Sequence, residues 1–162
     1  MSSDFDSRPD TYEHIETVRG LVLGVAEDLT RRAHRHDRSK LAEPELSIFN
    51  EFSPKLRDST YGSDEYKQFL EQMGEGLKHH YAANDHHPEH FRDGIKEMNL
   101  VQLLEMLCDW IAATRRHADG DILRSIEQNA ERFGYGEEIK RLLVTSVEAI
   151  LNGELAGGPP SA

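Results

Sequence analysis

Cysteine, long apolar runs and positive charge are all scarce in this sequence. Cys108 is the one cysteine in a chain of 162 residues, so an internal disulfide cannot form. The first ten residues contain neither the basic nor the apolar segment of a secretion signal. No run of about 18 consecutive apolar residues is present that would cross a membrane. These absences predict a cytoplasmic protein that does not bind membranes.

The excess of acidic residues bears on the kind of ligand that the protein can bind. A formal net charge of −11 opposes binding to the phosphate backbone of a nucleic acid polymer. Small phosphate esters are not excluded, because a metal ion or a local group of Arg and Lys can supply positive charge. The outlier in the composition is histidine, with nine residues. Imidazole is the commonest side-chain metal ligand, so metal binding is the first chemistry to consider.

Apolar residues recur at helical spacing along most of the chain, and no segment has the sustained alternation of a strand. Pro9 suits the first turn of a helix, and Asn99 followed by Gln102 fits a capping box. The sequence predicts an all-α bundle of about six helices, in one domain over residues 1–155 with a disordered Gly/Pro-rich tail over 156–162. The predicted helices span about 9–35, 44–52, 63–84, 99–113, 121–133 and 137–151, and loops are expected at 53–62 and 84–99.

Two carboxylates lie one helical turn apart in the most apolar of these helices, at Glu105 and Asp109. If this helix is buried, its carboxylates need a cation nearby, because an unpaired buried charge is strongly destabilising. A metal ion would satisfy that need. A salt bridge to Arg115, to Arg116 or to another helix would satisfy it as well.

A second candidate group is the adjacent pair His36 and Asp37, where the first helical pattern ends. Neighbouring His and Asp side chains at a helix end can both reach one ion, as imidazole nitrogen and carboxylate oxygen. The alternative is a solvated helix terminus in a segment that is already rich in charge.

The third group is a stretch of twelve residues, 79–90, that contains five histidines. His80 and Asn84 extend the apolar stripe of the preceding helix, and an apolar face tolerates polar groups only when they have partners. His86, His87 and His90 follow in the predicted loop. Metal binding is favoured over the alternative, an exposed loop that responds to pH and caps a helix with one histidine.

Taken in order, these residues resemble the metal-binding pattern of the HD-domain superfamily. The segment HRHDRSKL is similar to its signature of His-Asp followed by Lys, and EMLCDWIAA is similar to the helix that carries its last Asp. HDRSKL, Glu45, HHxxxNxHHPEHF and EMxCDW together resemble, more closely, a family of uncharacterised phage and bacterial HD-like proteins. The resemblance covers most of the chain and implies a compact HD-domain-like helical bundle.

The resemblance also implies roles for individual residues. A divalent metal ion would be held by residues drawn from His14, His36, Asp37, His80, His86, His87 and Asp109. Lys40 would bind the phosphoryl group, and Glu45 or Glu105 would accept a proton or orient a histidine ligand. Contacts with the substrate are expected from Arg38, Asn84, His90 and Arg115. The implied reaction is hydrolysis of a nucleotide or a similar small phosphate ester by a metal-activated water.

Two other functions fit the same residues. A di-iron oxygenase of the HD type would use the additional histidines as ligands. A catalytically inactive binding module would use the metal only to stabilise its fold. Zinc, manganese, iron, cobalt and nickel all suit mixed His and carboxylate ligands. The resemblance also makes a homodimer possible.

Overall fold

The computed structural model describes residues 5–60, 62–117 and 120–153, and within these ranges every regular element is helical. The chain divides into two units, Met1–His36 and Asp37–Ala162. The first unit contains helix α1 (Arg8–Arg35). The second contains helices α2 (Glu45–Asp58), α3 (Asp64–Gln72), α4 (Gly74–Ala83), α5 (Leu100–Thr114), α6 (Ile122–Phe133) and α7 (Glu137–Leu151), with 3₁₀ helices at Arg38–Leu41, Pro88–His90 and Gly94–Glu97. The predicted all-α class is confirmed.

The helix predicted over residues 63–84 is in fact two helices, so the described residues contain seven α-helices where about six were predicted. The break falls at Gly74, whose φ of 48° lies in the left-handed region. This conformation interrupts the hydrogen-bond ladder of α3, and glycine adopts it without steric cost. Met73, directly before the break, is 2% exposed, so the junction is anchored in the protein interior.

The two predicted loops contain more helix than expected. Helix α2 does not end at Phe52 but continues through Pro54 to Asp58. Phe52 is buried while Pro54 is exposed, so the packing of the apolar side outweighs the backbone hydrogen bond that proline cannot donate. The loop expected at 84–99 contains two short 3₁₀ helices, because Pro88 begins one turn and Gly94 begins the other.

The core of the second unit is built around α5, as the apolar sequence of that helix predicts. Asn99 caps its first turn, with its Oδ1 accepting from the amides of Val101 and Gln102 at 2.9 and 3.0 Å. The Gln102 side chain accepts from the Asn99 amide at 2.9 Å and completes the predicted capping box. α5 packs on α6 and α7 through a buried cluster that includes Met106, Leu107, Trp110, Ile111, Ile126, Leu143 and Val147. Trp110 stacks on Phe133, so it is a core residue.

Two remaining expectations concern the membrane and the C-terminal tail. No helix among the described residues is long and apolar enough to cross a bilayer. The tail at 156–162 lies outside the described residues. The single domain over 1–155 stays a prediction, and the two units are considered separately below.

Substitution of Tyr135 tests the packing between α6 and α7. Its buried hydroxyl donates to the Ile126 carbonyl at 2.6 Å, and burial followed by the charge of Glu127 raises the pKa of the phenol. The unfolded chain loses this proton near the ordinary pKa of about 10, while the folded chain keeps it at higher pH. The free energy of unfolding therefore falls as pH rises above about 10, by up to about 1.4 kcal/mol per pH unit for this group.

In Tyr135→Phe we expect a lower stability at neutral pH, by about 1 kcal/mol for the lost hydrogen bond. The free energy of unfolding should decline less steeply at alkaline pH than it does in the native protein. Urea unfolding at a series of pH values measures both effects. Parallel declines in the two proteins would contradict this account.

Candidate metal centre

One cluster in the second unit brings four of the predicted ligands together. Asp37, His80, His86 and His87 each offer one ligand atom, and these four atoms lie within 4.8 Å of one another. His80 and His86 are 1% and 2% exposed, so the cluster is closed to bulk water on their side. These four residues are called the metal cluster below.

Three segments of backbone position the metal cluster. Asp37 directly precedes the 3₁₀ helix Arg38–Leu41 and has a φ of 57°, the one positive φ outside glycine among the described residues. Aspartate tolerates this left-handed conformation better than most residues do. His80 lies on α4, and His86 and His87 lie in the short turn between α4 and Pro88. The sharp turn at Asp37 and the turn before Pro88 therefore bring distant parts of the sequence to one point.

The spacing within the metal cluster fits the edges of a coordination polyhedron. His80 Nε2 lies 2.9 Å from His87 Nε2 and 3.4 Å from Asp37 Oδ1, and His86 Nε2 lies 3.5 Å from the same carboxylate oxygen. Ligands at about 2.1 Å from an ion are separated by about 3.0–3.5 Å in octahedral or tetrahedral geometry. One divalent ion therefore fits between these four groups with small adjustments of the side chains.

A buried carboxylate fixes the orientation of His80. Glu45, which is fully buried at the start of α2, accepts from His80 Nδ1 at 2.9 Å and from His79 Nδ1 at 2.7 Å. Ser39 Oγ donates to the same carboxylate at 3.0 Å. Since the Nδ1 atom of His80 donates to Glu45, the lone pair of its neutral ring lies on Nε2, which faces the metal cluster. This His–carboxylate pairing is typical of metal sites.

Local electrostatics keep the imidazoles of His80 and His87 neutral and the carboxylate of Glu45 ionised. Burial, followed by the positive charge of Lys40, lowers the pKa of His80. Burial and the neighbouring histidines lower the pKa of His87 to about 3. Burial raises the pKa of Glu45, but the hydrogen bonds from His79, His80 and Ser39 outweigh it and hold the pKa below its usual range. At neutral pH, His80, His87 and Glu45 are therefore in the protonation states that metal binding requires.

Lys40 lies at the edge of the metal cluster. Its Nζ is 2.6 Å from Asp37 Oδ2 and 4.6 Å from the centre of the Phe49 ring. The ammonium group thus contacts Oδ2. The other oxygen of this carboxylate, Oδ1, lies nearest to His80 and His86. A cation in this place is suited to contact an anion that binds at the metal cluster.

Glu105 and Asp109 of α5 face the same histidines. Glu105 Oε1 lies 3.4 Å from His86 Nδ1, which places this carboxylate behind His86 much as Glu45 lies behind His80. A carboxylate oxygen of Asp109 lies within 4.8 Å of a carboxylate oxygen of Asp37, which places Asp109 beside the metal cluster. Both acids of α5 therefore lie beside the metal cluster, and their roles as ligand or base stay predictions.

Two residues that were predicted to contact the substrate form hydrogen bonds within the protein. Asn84 Nδ2 donates to Ser39 Oγ and to the His80 carbonyl, both at 2.8 Å, so its two amide hydrogens are used internally. Asn84 thus supports Ser39 and α4 through its amide nitrogen, and a contact of its Oδ1 with substrate stays a prediction. His90 Nδ1 is 3.0 Å from the Tyr81 carbonyl on the exposed side of the turn. Arg38 and Arg115 are exposed, and their contacts with a substrate stay predictions.

One expected ligand pair cannot share an ion. His14 and His36 are 22 positions apart on the continuous helix α1 and its C-cap, which corresponds to about 33 Å at 1.5 Å per residue. The shared ion that the resemblance implied for both is therefore excluded within one chain. Residues 8–35 contain no proline beyond the first turn that would bend the helix and shorten this distance. The role of His36 at the metal stays a prediction.

Sequence reasoning missed the importance of His79, Ser39 and Tyr81. His79 belongs to the histidine-rich stretch but had no predicted role, and it is the second imidazole on Glu45. Ser39 had a weak signal, since it lies inside the HDRSKL motif. The Tyr81 ring lies 5.0 Å from the His87 ring, centre to centre, and nothing in its sequence position distinguished it from an ordinary core tyrosine.

Comparison with known proteins assigns the chain to a family. A family model described as "Family of unknown function (DUF5662)" matches residues 3–156. The chain belongs to this family. No curated protein and no solved structure matched it. The function of this DUF5662 member is therefore inferred from the chemistry of its own residues.

The Glu45 contact predicts a loss of metal affinity on a conservative substitution. In Glu45→Gln we expect the affinity for zinc or manganese to fall by about 10- to 100-fold, because a neutral amide no longer fixes the tautomer and orientation of His80. Competition with a chelator of known affinity measures the change. The matched control is Glu51→Gln, an exposed position on the same helix, which should bind metal like the native protein. Equal affinities in the two variants, with both folded by circular dichroism, would exclude the orienting role.

Proposed function

We propose that this protein is a metal-dependent phosphohydrolase that acts on a nucleotide or a similar small phosphate ester. The observation that carries the proposal is the metal cluster with Lys40 at its edge, which combines three imidazoles, one carboxylate and one cation. The resemblance of its sequence motifs to HD-domain metal hydrolases supports the same reaction. Under this proposal Asp109 completes the ligand set, as that resemblance implies.

The donor set fits a divalent transition metal. Three imidazoles and a carboxylate suit zinc, manganese, iron, cobalt or nickel better than they suit magnesium or calcium, which prefer oxygen ligands. A bound ion of this kind supplies Lewis acidity, which polarises phosphoryl oxygens and favours ionised water near neutral pH.

The residues around the cluster have separate tasks in the proposed reaction. Glu45 and Glu105 orient His80 and His86 through their Nδ1 atoms. Lys40 turns from Asp37 to the non-attacked phosphoryl oxygens and stabilises the negative charge that develops on them. Asp37 has two carboxylate oxygens in different surroundings, Oδ1 beside the histidines and Oδ2 beside Lys40, and so links the ion to the phosphate-binding cation.

The proposal includes a cellular setting and a class of partner. A single cysteine, Cys108, which is exposed, suits a reducing compartment, and we place the protein in the cytoplasm. The net charge of −11 supports a small phosphorylated substrate rather than a nucleic acid polymer or an anionic membrane surface. A homodimer is compatible with the proposal but is not required by it.

A structural metal is the second candidate function. It is favoured by the position of the metal cluster, since the proposed ligands come from two segments that are more than 40 residues apart in sequence, at Asp37 and at residues 80–87. An ion that joins such segments stabilises the fold whether or not it takes part in a reaction.

Removal of the Asp37 carboxylate tests for the metal itself. We expect near-stoichiometric metal in the native protein by elemental analysis and a loss in Asp37→Ala that exceeds the loss in Glu45→Gln. Hydrolysis in a screen of nucleotides and simple phosphate esters should disappear with the metal. Asp58→Ala, at an exposed position at the end of α2, is the control and should keep both properties. Native protein that takes up no metal from any tested solution would overturn the proposal.

Lys40 separates catalysis from structural metal binding. In Lys40→Met we expect bound metal to be retained and kcat/KM for the best substrate of the screen to fall by about 100-fold, the effect of removing one group that stabilises transition-state charge. The matched control is Lys55→Met, because Lys55 also lies over a phenylalanine ring, at 4.3 Å from Phe52, but belongs to an exposed pair with Glu51. If metal-loaded native protein hydrolyses no ester while removal of the metal lowers its melting temperature, the second candidate is the correct one.

A further inference from the structure

The second unit contains an open cleft of about 830 Å³ between α3 and α4 on one side and α6 on the other. This volume lies within the range of sites for small organic ligands. Its walls include two tyrosines, Tyr66 and Tyr81, and two leucines, Leu70 and Leu77. The side chains of Gln128 and Asn129 supply amide groups from α6.

Charges of the two signs balance in the cleft. Lys67 and Arg132 provide two positive charges, and Glu71 and Glu131 provide two negative ones. Arg132 is further engaged by an ion pair with Glu89. The cleft therefore has no excess positive charge to attract a phosphate, in contrast to the metal cluster with Lys40. A ligand that matches it carries little net charge of its own.

The polar groups in the cleft suit hydrogen bonding to a ring with donors and acceptors along its edge. Amide side chains offer both donors and acceptors, and Tyr faces stack on flat rings.

Tyr81 connects the cleft with the metal cluster. Its side chain lines the cleft, and its ring lies 5.0 Å from the ring of His87 and 6.0 Å from that of His80. The cleft thus begins one side chain away from the proposed ion. A phosphate ester whose phosphoryl group lies at the metal cluster would have its organic part in this direction.

We propose that the cleft between α3, α4 and α6 is a binding subsite for a flat, uncharged heterocyclic ring, which stacks on Tyr66 or Tyr81 and hydrogen-bonds to the amides of α6. The inference rests on the proposed function only in identifying this ring as part of the ester's leaving group. Binding of the ring itself requires neither the metal nor hydrolysis. The subsite would select ring-bearing esters over those of simple sugars or of glycerol.

A cleft-filling substitution tests the subsite without opening a cavity in the core. Gln128 is exposed on α6, and its side chain reaches Gly62 across the cleft, where a Cβ on that glycine would lie 2.7 Å from Gln128 Oε1. In Gln128→Trp the larger side chain occupies the place of the ligand. Arg124→Trp puts the same residue at an exposed position one turn away on the same helix, outside the cleft lining, and serves as the matched control.

The probes are adenosine, uridine and ribose, titrated calorimetrically into the full-length protein, once with bound zinc and once after chelation. We expect both nucleosides to bind more tightly than ribose, and Gln128→Trp to weaken them by at least about tenfold, the loss of one stacking contact. Arg124→Trp should bind like the native protein. Melting temperatures establish that both variants are folded.

The outcomes separate this inference from the proposed function. Nucleoside binding that survives chelation and is lost in Gln128→Trp supports the subsite, even if no ester is ever hydrolysed. Absence of nucleoside binding, equal binding of ribose, or equal behaviour of the two tryptophan variants overturns the subsite, even if the metal and the hydrolysis are found.

Discussion

The hydrogen bonds that the Glu45 carboxylate accepts are the interaction on which the candidate site depends. A carboxylate with no exposed surface costs several kcal/mol in lost hydration, so it persists only where hydrogen-bond donors surround it. Here the donors are His79, His80 and Ser39, from α4 and from the turn after Asp37. The same contacts join α2 to α4 and to the 3₁₀ helix Arg38–Leu41. The orientation of a candidate metal ligand and the packing of three elements therefore have one common cause.

The histidines of the metal cluster lie close together in a buried environment. Each protonated imidazole would repel the others at these distances, and burial removes the water that would screen the repulsion. Burial and the charge of Lys40 lower the pKa of His80, whereas burial and the neighbouring histidines lower that of His87. The ring nitrogens and Asp37 Oδ1 together would suit a cation, and the Lys40 ammonium already contacts Asp37 Oδ2. Metal binding is thus proposed at the histidines and Asp37 Oδ1, and phosphate binding at Lys40 on the other side of the same carboxylate.

The distribution of charge near Tyr81 divides the second unit into two regions of different chemistry. On the histidine side, a cation and neutral imidazoles are arranged around carboxylates. On the other side, the cleft pairs its charges and presents aromatic and amide surfaces. An ester with an anionic phosphoryl group and an uncharged organic part has the same division. The proposed function and the proposed subsite are therefore complementary, although each is argued from different residues.

Local patterns in the sequence determined the helical class and most of the candidate ligands. Helical periodicity and the Asn99 cap depend on residues a few positions apart, so the sequence alone predicted α5 and its buried face. The histidine-rich segment and Asp37 were recognised for the same reason. Helix boundaries predicted from local patterns were wrong where side-chain packing outweighs backbone propensity, as at Pro54 in α2. They were also wrong where the conformation of a single glycine divides a helix, as at Gly74.

Only the tertiary structure decided which of these residues meet. The contacts of His79 and His80 with Glu45 span more than 30 positions, and no spacing rule connects residues at such separations. Likewise, the continuous helix α1 separates His14 from His36, although their order in the sequence had suggested a shared ion. The sequence by itself therefore determined the inventory of ligands and the helices that carry them. Side-chain packing between distant segments decided the composition of the cluster, because the burial and hydrogen bonding of Glu45 exist only once α2 and α4 are in contact.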